Sequence, residues 1–370
     1  MFKFISSSEI HKLKEATRTA EQKIRALDIQ RSMAETILWH MAEGVLAVDG
    51  HGKIISINPA IEKIFDVSEP AMLGKTAREA LRNNEIADII EYALKNAAPL
   101  QKEIDIILPI RGSFIIYVSP LEQGGVICVL HDVTELKKLE KYRSEFVANV
   151  SHELKTPLAT IHSYVQTLSG GAVNDPEHNL DFLCKIDKHV LRLSALIDDI
   201  LEISQLESKE DLAPFSKVNI IETAGRAVEA VAERCAKKKI ILKKEFASAD
   251  YFVLGLEDHI YRAILNLLEN ALTYTSEGGS ITIYCAKKED KTVISVADTG
   301  IGIPAEHLPR IFERFYRVDQ ARSRQLGGTG LGLAIVKHVM HIHNGTVTVE
   351  SEVEKGSKFT LTFPAKTNAY

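Results

Sequence analysis

Near the amino terminus one helical phase runs through Ile10, Leu13, Thr17, Ala20, Ile24, Leu27, Arg31, Ala34, Leu38 and Met41, at alternating steps of three and four. This is the a/d period of a coiled coil, broken by Thr17 and Arg31, and it predicts a long pairing helix over residues 1–42. After Gly44 the period changes to two. Val45–Asp49 and Lys53–Asn58 read as strands around a Gly50-His51-Gly52 turn, and Asn58-Pro59 supplies an N-cap and a first helical position. Ile104, Ile106 and Leu108, then Phe114, Ile116 and Val118, then Val126, Cys128 and Leu130 alternate as half-buried antiparallel strands do. A small α+β module is expected over 43–134.

From Thr134 the helical period returns with Leu136, Leu139, Arg143, Phe146 and Val150, then Leu154, Leu158, Ile161, Val165 and Leu168; the run from Phe146 to Leu158 forms a stutter. Gly170-Gly171 breaks this helix and Asp175-Pro176 opens another, whose seam is Leu183, Ile186, Val190, Leu193, Ile197 and Ile200. Two antiparallel helices over 135–212 cannot bury both stripes alone, so a homodimer completing a four-helix bundle is expected. Beyond Pro214, helical patterns near 220–236, 258–275 and 330–343 alternate with strand runs such as Ile281–Ala286 and Val293–Ala297. That alternation predicts an α/β layer domain over 213–366.

Composition narrows the reading. A chain of 370 residues, 45% hydrophobic and 26% charged, is long enough for two or three globular domains. A net charge of −5, with no basic stripe interleaved with aromatics, argues against a nucleic-acid partner. Cys128, Cys184, Cys235 and Cys285 fit neither a disulfide framework nor a Cys-x-x-Cys metal site, so the expected compartment is a reducing cytoplasm. No apolar run reaches the roughly 18 to 20 residues that span a bilayer, and Met1–Ile10 lacks a signal-peptide core, so the chain reads as soluble.

The segment Phe146–Leu158 lies on the first bundle helix. His152 sits roughly 200° around it from both Val150 and Leu154, so the imidazole faces solvent if those two face the core. Neutral imidazole keeps a lone pair on one nitrogen near pH 7, and the adjacent Glu153 can take or orient the proton on the other. Thr156 shares the face of His152, and Pro157 forfeits a backbone hydrogen bond and should bend the helix. An exposed helical histidine by itself is most often a passive surface residue.

Four motifs downstream change that balance. Asn266-Leu267-Leu268-Glu269-Asn270 puts two carboxamides at i and i+4, where an amide oxygen can coordinate a hard cation such as Mg²⁺. Asp298-Thr299-Gly300-Ile301-Gly302 ends a strand with an acceptor carboxylate followed by glycines that let backbone approach a ligand. Phe312-Glu313-Arg314-Phe315-Tyr316-Arg317 supplies two guanidiniums. Gly327-Gly328-Thr329-Gly330-Leu331-Gly332-Leu333 opens the last helix, whose amino end suits a polyphosphate. The glycine spacing fails the P-loop pattern, because no Lys-Ser or Lys-Thr follows. His338, His341 and His343 invite a metal reading, but no carboxylate or cysteine completes the set.

In this order the four motifs resemble the N, G1, F and G2 boxes of the histidine kinase catalytic domain, of the superfamily shared with gyrase, Hsp90 and MutL, and Ser151–Leu158 resembles the H box. Gly44–Asp49, the Asn58-Pro59-Ala60 helix start and the closing His131-Asp132-Val133-Thr134 resemble a PAS domain. The chain is thereby identified as similar to a two-component sensor histidine kinase. The implied fold is multidomain α+β: a PAS sensor, a helical hairpin forming a dimeric four-helix bundle, and an α/β-sandwich ATP-binding domain of the GHKL (Bergerat) type.

The resemblance also implies roles. His152 would be the phosphoacceptor, Glu153 its proton acceptor, and Thr156 the residue that positions water for dephosphorylating a response-regulator partner. Asn266 belongs to the nucleotide site, Asn270 would ligate Mg²⁺, Asp298 would accept the adenine amino group, and Tyr274 would line the pocket. Gly300, Gly302, Gly328, Thr329, Gly330, Leu331 and Gly332 would shape that pocket, and Arg317 would meet the phosphates from an ATP lid over 305–327. Family members often carry a lysine where this chain has Thr273, so a phosphate contact is expected from Arg314 or Arg317 instead. No residue of the PAS region marks a particular ligand. Two rivals are an ATP-driven clamp of the gyrase type and an ATP-binding scaffold without histidine phosphorylation.

Leu136, Leu139, Phe146 and Val150 carry one phase from the PAS region into the His152 helix, so the joint is expected to act as a rigid rod. Inserting one residue between Thr134 and Leu139 rotates everything downstream by about 100°, whereas inserting seven restores the phase to within about 20°. In a self-labelling assay with ATP the single insertion should lock or abolish activity and the seven-residue insertion should largely preserve it. Equal activity in both would mark a flexible tether.

Overall fold

The computed structural model describes residues 7–107, 109–208, 214–246, 251–288, 291–319 and 328–364. The chain forms two compact units, Met1–Glu145 and Phe146–Tyr370.

The first unit begins with α1 (Ser7–His40), which presents Ile24, Leu27 and Leu38 of the expected seam to solvent. Next come β1 (Gly44–Val48), β2 (Ile54–Ile57), the short helices α2 (Pro59–Phe65), α3 (Glu69–Met72) and α4 (Ala77–Leu81), and the longer α5 (Asn84–Asn96). Strands β3 (Leu100–Ile106), β4 (Gly112–Pro120) and β5 (Val126–Asp132) complete an antiparallel sheet of order β2-β1-β5-β4-β3. Helix α5 forms because the Asn83 side chain accepts the Ile86 N–H, and Ile86, Ile89, Ile90 and Ala93 then fall on one stripe. That stripe packs with Leu46, Phe114, Ile116 and Leu130 from the sheet.

Two polar joints frame this unit. The buried Asn58 carboxamide uses its whole capacity: its oxygen accepts from the N–H of Val45 (2.8 Å) and Ile61 (3.3 Å). Its nitrogen donates to the carbonyls of Glu43 (2.8 Å) and Leu38 (3.2 Å). The residue expected as an N-cap therefore also holds the last turn of α1. At the other end the Asp132 carboxylate accepts the Thr134 N–H (2.8 Å), and the Thr134 hydroxyl accepts the Ser113 N–H (3.0 Å).

The second unit takes up the chain inside α6 (Thr134–Ser169). This helix continues through Pro157, which is buried. A 3-10 turn, Ala172–Asn174, leads to α7 (Asn179–Ser208). Helix α7 thus starts three residues later than the Asp175-Pro176 signal suggested, because the Asp175 carboxylate accepts the Glu177 N–H and meets His178 Nδ1, closing a local turn. Helices α6 and α7 run antiparallel, with Glu153 opposite Arg192 and the Tyr164 ring 5.7 Å from Phe182.

Next come β6 (Ser216–Asn219), α8 (Ile220–Lys237), β7 (Ile241–Phe246), β8 (Phe252–Gly255), α9 (Glu257–Tyr274), β9 (Ser280–Lys288), β10 (Lys291–Asp298), α10 (Gly332–Ile342), β11 (Thr346–Glu352) and β12 (Gly356–Phe363). The main sheet has order β11-β12-β10-β9-β7, with β7 parallel to β9, and β6 pairs with β8 in a ribbon. Helices α8, α9 and α10 pack against it around Val228, Ile260, Ile264, Leu267, Ile335 and Val339, and Leu196, Ile203 and Leu206 of α7 join that core. Among the described residues no helix is long and apolar enough to cross a membrane.

The histidine cluster is structural rather than metal-binding at its most buried member. His343 Nδ1 donates to the Val339 carbonyl (2.7 Å) and Nε2 accepts the Leu256 N–H (2.9 Å), and the ring stacks on Phe215 at 5.1 Å. His338 Nε2 instead meets the Leu206 carbonyl at 3.0 Å. The buried thiols of Cys128 and Cys285 are pushed up to about 12 by burial, which keeps them protonated and unreactive.

Burial pushes the His343 ring below its ordinary 6.5, with the Val339 carbonyl partly opposing. A histidine with a depressed folded-state value contributes stability that is intact above the unfolded value and lost as pH falls below it. Unfolding of the second unit should therefore become easier from about pH 6.5 downward, by at most about 1.4 kcal/mol per pH unit from this group. Denaturant titrations across that range should show a shallower pH slope for His343→Gln than for the unmodified chain.

Candidate functional site

Helix α9 is the floor of the site. Its apolar positions Ile260, Ala263, Ile264, Leu267, Leu268 and Ala271 are buried in the core, which fixes the rotation of the helix. Asn266, Asn270 and Tyr274, spaced i, i+4 and i+8, consequently share a face. At one end of that face a Cβ on Gly332, the first residue of α10, would stand 3.4 Å from Asn266 Oδ1. At the other end a Cβ on Gly300 would stand 2.6 Å from the Tyr274 carbonyl oxygen. The two glycine motifs therefore close on opposite ends of one helical face.

Two polar side chains at this face are set apart by burial. Asn266 is buried, and its Nδ2 has no hydrogen-bond partner among the described residues. Asp298 ends β10 beside Gly300, whose N–H it accepts at 2.7 Å. Burial raises the Asp298 carboxyl above its ordinary value, against the N–H groups of Gly300 and Ser357. A hydrogen bond from a ligand would stabilise the charged form that burial disfavours.

The glycines divide by what surrounds them. Gly302 (φ 67°) and Gly330 (φ 77°) lie in the left-handed region, and the close approach they permit is to the protein's own backbone. A Cβ on Gly302 would collide with the Glu352 carbonyl, and one on Gly330 would stand 3.0 Å from Phe315 Cα, whose N–H donates to the Gly330 carbonyl at 2.8 Å. Around Gly328 a Cβ would meet nothing within 4 Å among the described residues.

The lid expected over 305–327 is described as far as Asp319; residues 320–327, with Gly327, lie outside the described residues. The described part is tied down, since His307 Nδ1 and Tyr316 Oη are 2.7 Å apart and the Arg310 guanidinium sits 4.4 Å over the Tyr316 ring. Thr273, which stands where a lysine was expected, donates its hydroxyl to the Glu269 carbonyl (2.7 Å). Lys238 caps that end of α9 by donating to the carbonyls of Leu272 and Thr273 at 2.7 and 3.2 Å.

On the hairpin His152 and Thr156 are exposed, and the Thr156 hydroxyl donates to the His152 carbonyl at 3.1 Å. Glu153 is half-buried between two guanidiniums. Its Oε2 accepts from Arg192 Nη2 (3.3 Å) and from Arg317 Nη2 (3.2 Å). The arginine expected at the phosphates is thus engaged with the helix that carries His152, its side chain only 6% exposed. Arg314 lies 5.2 Å over the Phe146 ring, which is itself 5.8 Å from Phe315.

Three residues of this assembly escaped the sequence reading. Asp199 on α7 accepts from Arg262 Nη2 through Oδ1 (2.9 Å) and from the Thr329 hydroxyl through Oδ2 (2.7 Å). Glu202 accepts Arg262 Nε at 3.0 Å. Burial pushes both carboxyls up, opposed at Asp199 by Thr329 and Arg262 and at Glu202 by Arg262. Burial also works against the guanidinium's charge, but Glu202 and Asp199 outweigh it and hold Arg262 above its ordinary value. The available signal was acidic residues beside Ile200 in an apolar seam and an arginine one turn before Asn266. Neither names its partner.

The layered sheet, the helical floor and the docked hairpin define an ATPase-type domain joined to a phosphoacceptor-type hairpin. The family of histidine kinase-, DNA gyrase B- and HSP90-like ATPases matches residues 255–367, the His Kinase A (phospho-acceptor) domain 142–209, and the PAS fold 32–133. Sensor histidine kinase WalK of Bacillus subtilis is 33% identical over 358 residues, covering 95% of this chain and 58% of the relative. A sensor protein kinase WalK of Staphylococcus aureus is 30% identical over 360 residues, covering 96% and 84%. The chain belongs to the sensor histidine kinases. It spans little more than half the length of the Bacillus relative. Among solved structures, histidine kinase ThkA in complex with response regulator protein TrrA superposes with TM-score 0.51 at 26% identity, covering 87% of this chain and 96% of that one.

Backbone strain separates two glycine substitutions. Gly302→Ala meets both the positive φ and the Glu352 carbonyl and should lower stability by about 2 kcal/mol or more, whereas Gly328→Ala should stay within about 0.5 kcal/mol of the parent. Thermal unfolding of the two variants reads the difference.

Proposed function

We propose that this chain is an ATP-dependent histidine autokinase that phosphorylates His152 and passes the phosphoryl group to an aspartate of a response-regulator receiver domain. The observation that carries the reading is the shared face of Asn266, Asn270 and Tyr274, closed at one end by Gly300 and Asp298 and at the other by Gly332, in the same unit as an exposed His152. A gyrase-type clamp or a passive scaffold has no use for that histidine within a phosphoacceptor hairpin.

The buried, unpartnered Asn266 amide and the amino end of α10 suit a polyphosphate, and the Asp298 carboxylate suits the adenine amino group. Asn270 offers a neutral carboxamide oxygen that would hold Mg²⁺, and the ion would supply charge neutralisation at the phosphates. In the transfer, a ring nitrogen of His152 attacks the γ-phosphorus in line. The bond from phosphorus to the bridging oxygen breaks, ADP leaves with that electron pair, and the other ring nitrogen gives up its proton. Glu153 accepts this proton after exchanging Arg317 for it, and the released guanidinium is then available to the phosphates. Thr156 serves the opposing activity, positioning water to attack the receiver's phosphoaspartate, which releases inorganic phosphate and the free aspartate.

Dimerisation through the hairpin is supported by exposed Leu180, Leu183, Val190, Ile197 and Leu201 on α7 and Leu158 and Val165 on α6. Residence in the cytoplasm is supported by free cysteines among the described residues and by helices too polar to cross a membrane. The domains are 1–42, 43–134, 135–212 and 213–366, with the last two packed together.

Incubation with γ-labelled ATP, followed by acid, tests the reading, because phosphohistidine is acid-labile. His152→Ala should lose all label and still bind nucleotide; residual acid-labile label would put the acceptor elsewhere. Asn270→Ala should weaken Mg²⁺-dependent binding and labelling together. Thr156→Ala should keep most labelling and lose dephosphorylation of a phosphorylated receiver, and a parallel fall in both would make Thr156 structural.

A further inference from the structure

Thr329 stands one residue before Gly330 and three before the start of α10, at the segment assigned above to the polyphosphate. Its hydroxyl is at the centre of a relay. The Leu331 N–H donates to Thr329 Oγ1 (3.3 Å), Thr329 donates to Asp199 Oδ2 (2.7 Å), and Asp199 Oδ1 accepts from Arg262, which also binds Glu202. Two consequences follow for a polyphosphate. One N–H at the amino end of α10 is already engaged, and two carboxylates against one guanidinium leave a net negative charge beside the loop.

We propose that Asp199 is a positioning residue that couples nucleotide occupancy to the docking of α7, because its carboxylate and a polyphosphate compete for the Thr329 segment. Asp199 holds the loop in the conformation that a carboxylate satisfies. A polyphosphate drawing the Leu331 N–H to itself withdraws the Thr329 hydroxyl from Asp199 and loosens Leu196, Ile203 and Leu206 from the core they share with α9 and α10. Linkage makes the effect reciprocal: whatever releases α7 tightens nucleotide binding by the same factor. The inference rests on the ATP-binding reading but assigns Asp199, which that reading leaves without a role.

The test uses the full chain, Mg²⁺ and a non-hydrolysable ATP analogue, with calorimetric Kd and amide hydrogen exchange over residues 196–206 as the two readouts. Asp199→Asn should bind the analogue about five- to tenfold more tightly than the parent. In the parent the analogue should speed exchange over 196–206; in Asp199→Asn exchange should be fast already and change little. Equal or weaker binding by the variant, or parental exchange indifferent to the analogue, overturns the coupling and leaves the ATP site standing. Failure of the parent to bind the analogue overturns both. Should Asp199→Asn not fold, the parental exchange response decides alone, a rise upholding the coupling and no change refuting it.

Discussion

Helix α9 must be packed on its apolar side while carrying two carboxamides, and that obligation orders the rest of the second unit. Ile260, Ile264, Leu267 and Leu268 are fully or almost fully buried, and each such side chain stabilises the fold by about 1.5–3 kcal/mol. Turning the helix would expose several at once, so Asn266 and Asn270 are held where the packing puts them. The buried Asn266 Nδ2 finds no partner among the described residues, and a buried donor left unsatisfied costs about 1–3 kcal/mol.

The hairpin adds a second layer of order, made of charges rather than of apolar area. Glu153 lies between Arg192 and Arg317, and Asp199 and Glu202 share Arg262, all partly or largely shielded from water. Such pairs add little net stability, because desolvation offsets most of the attraction, yet removing one partner strands a buried charge at about 3–5 kcal/mol. Ion pairs of this kind therefore specify which surfaces meet rather than how tightly. Arg317 and Thr329, both expected at the nucleotide, are each engaged by a carboxylate of the hairpin. A carboxylate and a phosphate make the same demand on a guanidinium or a hydroxyl, so the docked hairpin occupies groups that a phosphate could otherwise take.

In the first unit the equivalent role falls to side chains bonded to backbone rather than to ion pairs. Asn58 ties the last turn of α1 to the starts of β1 and α2, and Thr134 with Asp132 ties the start of α6 to β4 and β5. Both helices that flank the PAS fold are thus anchored by side chains hydrogen-bonded to backbone. A shift of the sheet reaches those helices through bonds rather than through slack loops.

The order of elements, the change of period at Gly44 and Thr134, the Asn58 cap, and the spacing of Asn266, Asn270, Asp298 and the glycines were all legible in the sequence, because each depends on residues a few positions apart. A local signal erred where a competing local bond existed: Asp175 closed a turn with Glu177 and His178 before α7 began. Only the tertiary structure decided the partners. Glu153 meets Arg317 across 164 residues and Asp199 meets Thr329 across 130. No period or propensity acts over that separation, since the choice among many arginines and carboxylates is made by which surfaces the packed core brings together.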